Sequence, residues 1–336
     1  MFQSIYLVLL GVARSIAYYF DGVLLSSRSY KSIVSQRDSA VQLLAKAKED
    51  FIPGLTGIVF SKDRALQLYS LLSSYHSSVK NPADLVIIYN ASSKEHLQSY
   101  NELERYCCEI STFKVSFVLE GEGFKETLNN QLKKIITNNI FFLVDDIIFI
   151  KDLDLNFAKK INSKEYILSL RHSPALNYSY NVRRYHNPPQ FIRPFEGVDI
   201  LEFSWFESPN EWSDPLSVDG HILPTAEVGV IAEIADYKAP NSFEAILKTF
   251  SNLCVDRKGL CYLESKILNI PINRVQTESK NYSGDVSVEY LLKRWSGGEQ
   301  INLDQFSNYC PHSTHEEHPV TFKTRLRFPA TPDGNL

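Results

Sequence analysis

The sequence predicts an α/β fold, a mostly parallel sheet flanked by helices, and two observations carry that reading. Short β-rich apolar runs alternate with stretches of helical apolar spacing between residues 55 and 144. The alternation has the spacing of strand-helix-strand units, which build parallel sheets covered on both faces. At the end of that alternation, the stretch "NNIFFLVDDIIFIKDLDL" (138–155) places two adjacent carboxylates, Asp145 and Asp146, between two nearly pure apolar runs, where an unpaired charge is costly to bury.

Taken in order, "SIYLVLLGVARSIAYYFDGVLL" (4–25) has its apolar residues at helical spacing, with Gln3, Arg14 and Asp21 on the opposite side. The apolar run is short for a membrane span, and no small-residue cleavage site follows it. A helix packed on the domain or a partner chain, a helix lying on a membrane surface and a true span all stay open. A polar helical stretch (32–51) follows. Then come a strand at 55–60, a helix at 64–75, a strand at 84–90, a helix at 93–107, a strand at 113–119, a helix at 123–138 and a strand at 140–144. Beyond residue 165 the chain is richer in Pro, Asn, Tyr and Trp. There "EYILSLR" (165–171) reads as a strand and "NSFEAILKTFSNLC" (241–254) as a helix, with Asn241 or Ser242 at its N-cap and Glu244 in the first turn. The expected organisation is a helical segment at 1–52, a half at 53–155, a second half of the same domain at 156–320, and a frayed tail at 321–336.

Composition narrows the function classes. The chain has 336 residues, a net charge of -4 and dispersed Lys and Arg, which disfavours a nucleic-acid partner. Five cysteines without a CxxC pair argue against a disulfide framework and a structural zinc site, and imply a reducing compartment. Three glycosylation sequons (Asn90, Asn177, Asn281) are short enough to arise by chance.

In open α/β sheets the ligand site lies at the carboxyl ends of the strands. That rule lines up Ser61 to Arg64, Asn90 to Ser93, and Asp145 with Asp146 on one edge. An Asp pair at a strand end supplies hard oxygen ligands for Mg²⁺ or Mn²⁺, whose remaining shell a substrate's phosphates complete. Alone, such a pair is more often a turn cap.

The segments "LTGIVFSKDRALQLYSLLSSY", "YNASS" and "FKETLNNQLKKIITNNIFFLVDDIIF" together resemble the nucleotide-sugar-binding half of GT-A glycosyltransferases, particularly family 2-like enzymes. The likeness covers roughly 53–155. More loosely, "PLSVDGHIL" (215–223), "APNSFEAI" (239–246) and "INRVQ" (272–276) look like segments of bacterial surface-polysaccharide proteins of that kind. The resemblance implies a GT-A-like (Rossmann-like) sheet with an irregular acceptor-side half, and transfer of a sugar from a nucleotide-diphospho-sugar to a hydroxyl of a glycan or glycolipid, inverting and assisted by Mn²⁺ or Mg²⁺.

It also implies that Ser61, Lys62, Asp63, Arg64 and Asn90 surround the nucleotide, that Lys125 reaches it, and that Asp145 faces the ribose and Asp146 the metal. Ile147 stands where a full DxD motif has its last aspartate, so a ligand from elsewhere is needed. His315 in "CPHSTHEEHP" is the choice, ahead of His318 and His221. An inverting enzyme also needs a carboxylate base. Asp219 is the candidate, with Glu244 and Glu227 in reserve, and Trp205, Trp212 and nearby tyrosines are expected to form a sugar-stacking wall.

The expected location is cytoplasmic, with peripheral membrane contact through residues 1–24. A sugar nucleotidyltransferase is the alternative, although the loop after the first strand lacks the glycines that usually cradle a triphosphate. A catalytically degenerate protein binding a glycan or a partner enzyme is a third reading.

Overall fold

The computed structural model describes residues 27–46, 50–110, 112–275 and 282–325. The expected membrane contact through residues 1–24 lies outside them. The chain divides into two compact units, residues 1–47 and 48–336. In the first, helix α1 (Ser27–Lys46) takes up the polar stretch, starting and ending about five residues earlier than its apolar spacing predicts.

The second unit is built on ten strands that matter for the site: β1 (Ile52–Lys62), β2 (Asp84–Asn90), β3 (Val115–Leu119), β4 (Thr137–Val144), β5 (Ile147–Phe149), β6 (Tyr166–Ser169), β7 (Ile200–Ser204), β8 (His221–Pro224), β9 (Lys258–Tyr262) and β10 (Ile267–Asn269). Eight form one sheet in the order β7-β9-β6-β8-β4-β1-β2-β3, and β5 pairs with β10 separately. β1 runs parallel to β2 and β4, β2 to β3, and β6 to β9. β8 runs antiparallel between β4 and β6, and β7 antiparallel to β9. The sheet is therefore mostly parallel, as its alternating pattern predicts.

Helices α2 (Ala65–Ser78), α3 (Lys94–Cys107), α4 (Phe124–Leu132), α5 (Thr225–Ile234), α6 (Pro240–Thr249) and α7 (Val288–Ser296) flank it. α3 shows why these segments are helical. Ser93 caps its start by accepting the His96 N–H, and His96, Ser99, Tyr100, Leu103 and Cys107 recur at three- and four-residue spacing to form its buried face.

β1 is buried on both faces, and its side chains alternate between two layers. Val59 joins the cluster containing Leu68, Leu72 and Tyr100. Phe60 points the other way, 5.1 Å from Phe124 of α4 and 5.5 Å from Phe142 of β4. Gly57 leaves room between neighbouring strands, because a Cβ there would stand 2.4 Å from Leu85 Cδ2 and 2.7 Å from Phe141 Cζ.

Three expectations shift. The helix expected at 123–138 ends at Leu132. The helix at 241–254 begins at Pro240, with Ser242 Oγ accepting the Ala239 N–H, and becomes a 3₁₀ turn (Ser251–Cys254) after Thr249. The tail expected to fray from 321 instead starts with a strand, Phe322–Thr324, paired to Glu299–Ile301. The backbone ladder satisfies donors that a solvated tail would leave to water.

Candidate active site

The strand ends converge on one cleft of about 580 Å³, within the range of small-molecule sites. β1 delivers Ser61 and Lys62, β2 Asn90, and β4 leads into Asp145 and Asp146. The turn after β6 adds Arg171. β8 runs antiparallel, so it begins where its neighbours finish, and Asp219 precedes it at the same edge. Gly220 makes that entry possible: its φ is +76°, its N–H donates to Phe142 O at 2.7 Å, and a Cβ there would lie 2.4 Å from Ile267 Cδ1.

Asp145 is the anchor of the loop after β1. One carboxylate oxygen accepts from Ser61 Oγ at 2.9 Å and the Lys62 N–H at 3.1 Å; the other accepts from Arg64 Nη1 at 2.8 Å. Arg64 Nη1 also reaches Asp146 at 3.4 Å, and Arg64 Nη2 donates to the carbonyl oxygen of Asn273. Burial pulls the Arg64 pKa down, but the Asp145 and Asp146 carboxylates outweigh it and leave it raised. Tyr100 closes the network, its hydroxyl meeting Ser61 Oγ at 2.6 Å and accepting the Arg64 N–H at 3.1 Å.

Asp146 is less fully served. Burial and the Asp145 and Asp219 carboxylates push its pKa up to about 7, against the pull of Arg64. Asp219 accepts from Arg171 Nη1 at 2.8 Å and lies 3.7 Å from His315 Nε2. Burial first, then Arg171, lowers His315 to about 4. Its imidazole is neutral at pH 7, the form that ligates a cation. Among the described residues, no three His, Cys, Asp or Glu side chains gather closely enough to hold a metal ion. The donor chemistry fits an ion of the kind that takes one or two protein ligands and draws the rest of its shell from phosphate and water.

Ser61, Lys62, Arg64, Asn90, Asp145, Asp146, Asp219 and His315 all line the cleft. Asp63 and Lys125 do not. Asp63 braces the loop from behind, at φ +56°, accepting the Ser92 N–H at 2.7 Å and donating its own N–H to Asn90 O. Lys125 Nζ sits 5.7 Å over the Tyr237 ring.

Of the reserve residues, Glu244 lines the cleft and accepts from Ser217 at 2.9 Å. Glu227 is buried elsewhere against Arg257 at 2.6 Å. His221 is fully buried with Nδ1 on Pro215 O, and His318 packs edge-on to Tyr309 and Phe306. Trp205 and Trp212 do not form a sugar-stacking wall. They are 5% and 0% exposed, in a core cluster with Phe203 and His172: Trp205 directly follows the strand that carries Phe203, and a 3₁₀ turn (Asn210–Ser213) brings Trp212 onto the same rings. The aromatics at the cleft are Phe60, Phe124, Tyr180 and Tyr282 instead.

Sequence reasoning missed Arg171, Tyr100 and Asn273. Arg171 had a usable signal, since it ends the predicted strand 165–171 and the strand-end rule places it on the site edge. The other two come from a helix and a late loop, and only tertiary packing brings them in.

With the fourth parallel strand ending in an Asp pair beside the loop after the first, the architecture is the one the sequence resemblance implies. The fold is GT-A-like. Among solved structures, the chain is similar to S. aureus TarS 1-349 in complex with UDP-GlcNAc, at 14% identity over 64% of this chain and 57% of that one, with a TM-score of 0.40. It is also similar to TarS 1-349 in complex with UDP, at 15% identity over 72% and 64%, TM-score 0.39. A putative glucose-1-phosphate thymidylyltransferase from Bacillus anthracis, in complex with a sucrose, matches at 14% identity over 54% and 76%, TM-score 0.33. The chain thus spans less than two thirds of the length of the TarS 1-349 structures. No family model matches the sequence, and no curated protein matches it.

Proposed function

We propose that the chain is a glycosyltransferase that moves a sugar from a nucleotide-diphospho-sugar to a hydroxyl of a glycan or glycolipid, with inversion. The observation that carries this reading is the Asp145-Asp146 pair at the end of β4, in a cleft where the loop after β1 adds Lys62 and Arg64. In this reading Lys62, Arg64 and Arg171 face the donor's diphosphate, and Asn90 lies towards the nucleoside. Asp145 acts by fixing the Ser61 to Arg64 loop. Asp219, held by Arg171, takes the proton from the acceptor hydroxyl as general base. Mn²⁺ or Mg²⁺, held by Asp146 with His315 as the second candidate ligand, would neutralise charge on the departing diphosphate.

The test is binding of UDP-, GDP-, CMP- and TDP-sugars by the purified chain, with and without Mn²⁺, followed by slow donor hydrolysis. One nucleotide sugar is expected to raise the melting temperature in a cation-dependent way, and Asp146→Ala to abolish that rise. Failure to bind every donor would sink the proposal, and pyrophosphate release from a nucleoside triphosphate and a sugar phosphate would transfer it to the nucleotidyltransferases.

A further inference from the structure

Beside the cleft, residues 172–195 include three arginines, Arg183, Arg184 and Arg193, and no Asp or Glu, although the whole chain carries a net charge of -4; Arg193 lies 3.9 Å from Asp199, which leaves Arg183 and Arg184 to carry the charge of the stretch. Within this stretch Tyr178–Ser179 and Arg184–Tyr185 pair as a short antiparallel hairpin. Its turn presents Val182 at 50% exposure, with Arg183 and Arg184 exposed, and Tyr185 follows at 81%. Tyr185 packs on Tyr178 with ring centroids 5.0 Å apart, and Arg183 lies 3.7 Å over the ring of Tyr282, itself 45% exposed. The result is one projecting surface of apolar, tyrosyl and guanidinium groups.

The hairpin is held at its base. The Asn177 and Tyr178 N–H groups both donate to His312 O, the Tyr180 N–H to Ser313 Oγ, the Tyr180 hydroxyl to Glu317, and Ser179 Oγ to Glu211 at 2.7 Å. Surface aromatic and aliphatic groups therefore stay presented to water on a fixed platform, and folding gains nothing from their exposure.

We propose that this hairpin docks the protein on a bilayer containing anionic lipids. The charge is complementary, since each arginine near an anionic leaflet strengthens binding about fivefold. The companions favour a bilayer over a soluble polyanion: tyrosine suits the headgroup level, and Val182 and Tyr185 gain only where an apolar phase is within reach. Asn181, Val182 and Tyr282 also line the mouth of the cleft, so docking turns that mouth towards the lipid. The consequence, a lipid-linked acceptor entering from the membrane side, rests on the transferase reading; the docking itself rests on the hairpin.

The test uses the full chain carrying Tyr185→Trp, the native tryptophans Trp205, Trp212 and Trp295 being buried. Vesicles of phosphatidylcholine with and without phosphatidylglycerol, including brominated lipid, report contact at residue 185 by quenching, whatever the amino-terminal apolar sequence does. Quenching is expected only with phosphatidylglycerol present, and Arg183→Glu with Arg184→Glu is expected to weaken it at least tenfold. Binding to vesicles with residue 185 unquenched, quenching indifferent to the charge reversals, or binding to a soluble polyanion in place of vesicles would each overturn the proposal. Donor binding measured on the same sample without vesicles separates this outcome from failure of the transferase reading.

Discussion

Asp145 and Asp146 are neighbours in sequence with opposite duties. Asp145 is 3% exposed and meets the hydroxyl of Ser61, the Lys62 N–H and the Arg64 guanidinium. Removing it leaves Arg64 buried without its main counter-charge, and breaking one side of a buried ion pair costs about 3 to 5 kcal/mol. Asp145→Ala is therefore expected to lower folding stability by that amount in urea titration; a loss below about 1 kcal/mol would mean that the loop is held by other contacts. Asp146 is crowded by the Asp145 and Asp219 carboxylates. Asp146→Asn relieves that repulsion, so stability should hold or rise while donor turnover falls about a hundredfold, as for loss of a key electrostatic group. Adjacent Asp residues at a strand end marked the edge of the cleft, but no local pattern distinguishes the carboxylate that anchors the β1 loop from the one crowded by other carboxylates.

At the scale of elements, the decisive feature is an antiparallel strand inserted in a parallel sheet. β8 starts at the edge where β4 and β6 stop, so Asp219, two residues before it, arrives on the Asp146 side of the cleft without a long connection. Gly220 is the hinge of this entry. Gly220→Ala adds a methyl group at a φ of +76° and against Ile267, so a stability loss of about 1 to 3 kcal/mol is expected. Turnover should fall further than donor affinity, because Asp219 moves while the β1 loop does not. Equal losses in both, or in neither, would separate Asp219 placement from the chemistry. The "VDGHIL" segment was legible as a tight turn with an aspartate; its direction in the sheet was not, since a four-residue buried run looks the same whichever way it is paired. The tryptophans illustrate the same limit, because an aromatic-rich composition does not say which rings face the core.

At the scale of the whole molecule, three imidazoles, His172, His221 and His315, are held below their ordinary pKa. Burial drives His221 down to about 3 and His172 well below its usual value, with neighbouring Arg171 and His221 charges adding to the effect. Below pH 6.5 the unfolded chain takes up protons that the folded chain refuses, so folding stability falls as pH drops from 6.5 towards 4. Asp146, raised to about 7, works in the opposite sense and offsets part of the fall. Urea titrations at pH 7, 6 and 5 are expected to show the decline, and His221→Asn to flatten it by about 1.4 kcal/mol per pH unit near pH 5. An unchanged slope in that variant would show that His221 takes a proton in the folded state. None of the described helices is long and apolar enough to cross a membrane. By itself the sequence determined the alternating sheet, the edge where the site lies and most of the groups on it, because strand periodicity and strand ends are local properties of the chain. Only the tertiary structure decided which groups pair: Arg64 with the two aspartates, Arg171 with Asp219, Asn273 and Tyr100 with the β1 loop, and an arginine-tyrosine hairpin with the cleft mouth. Such pairings depend on the distance between segments far apart in sequence, which packing sets and no local pattern encodes.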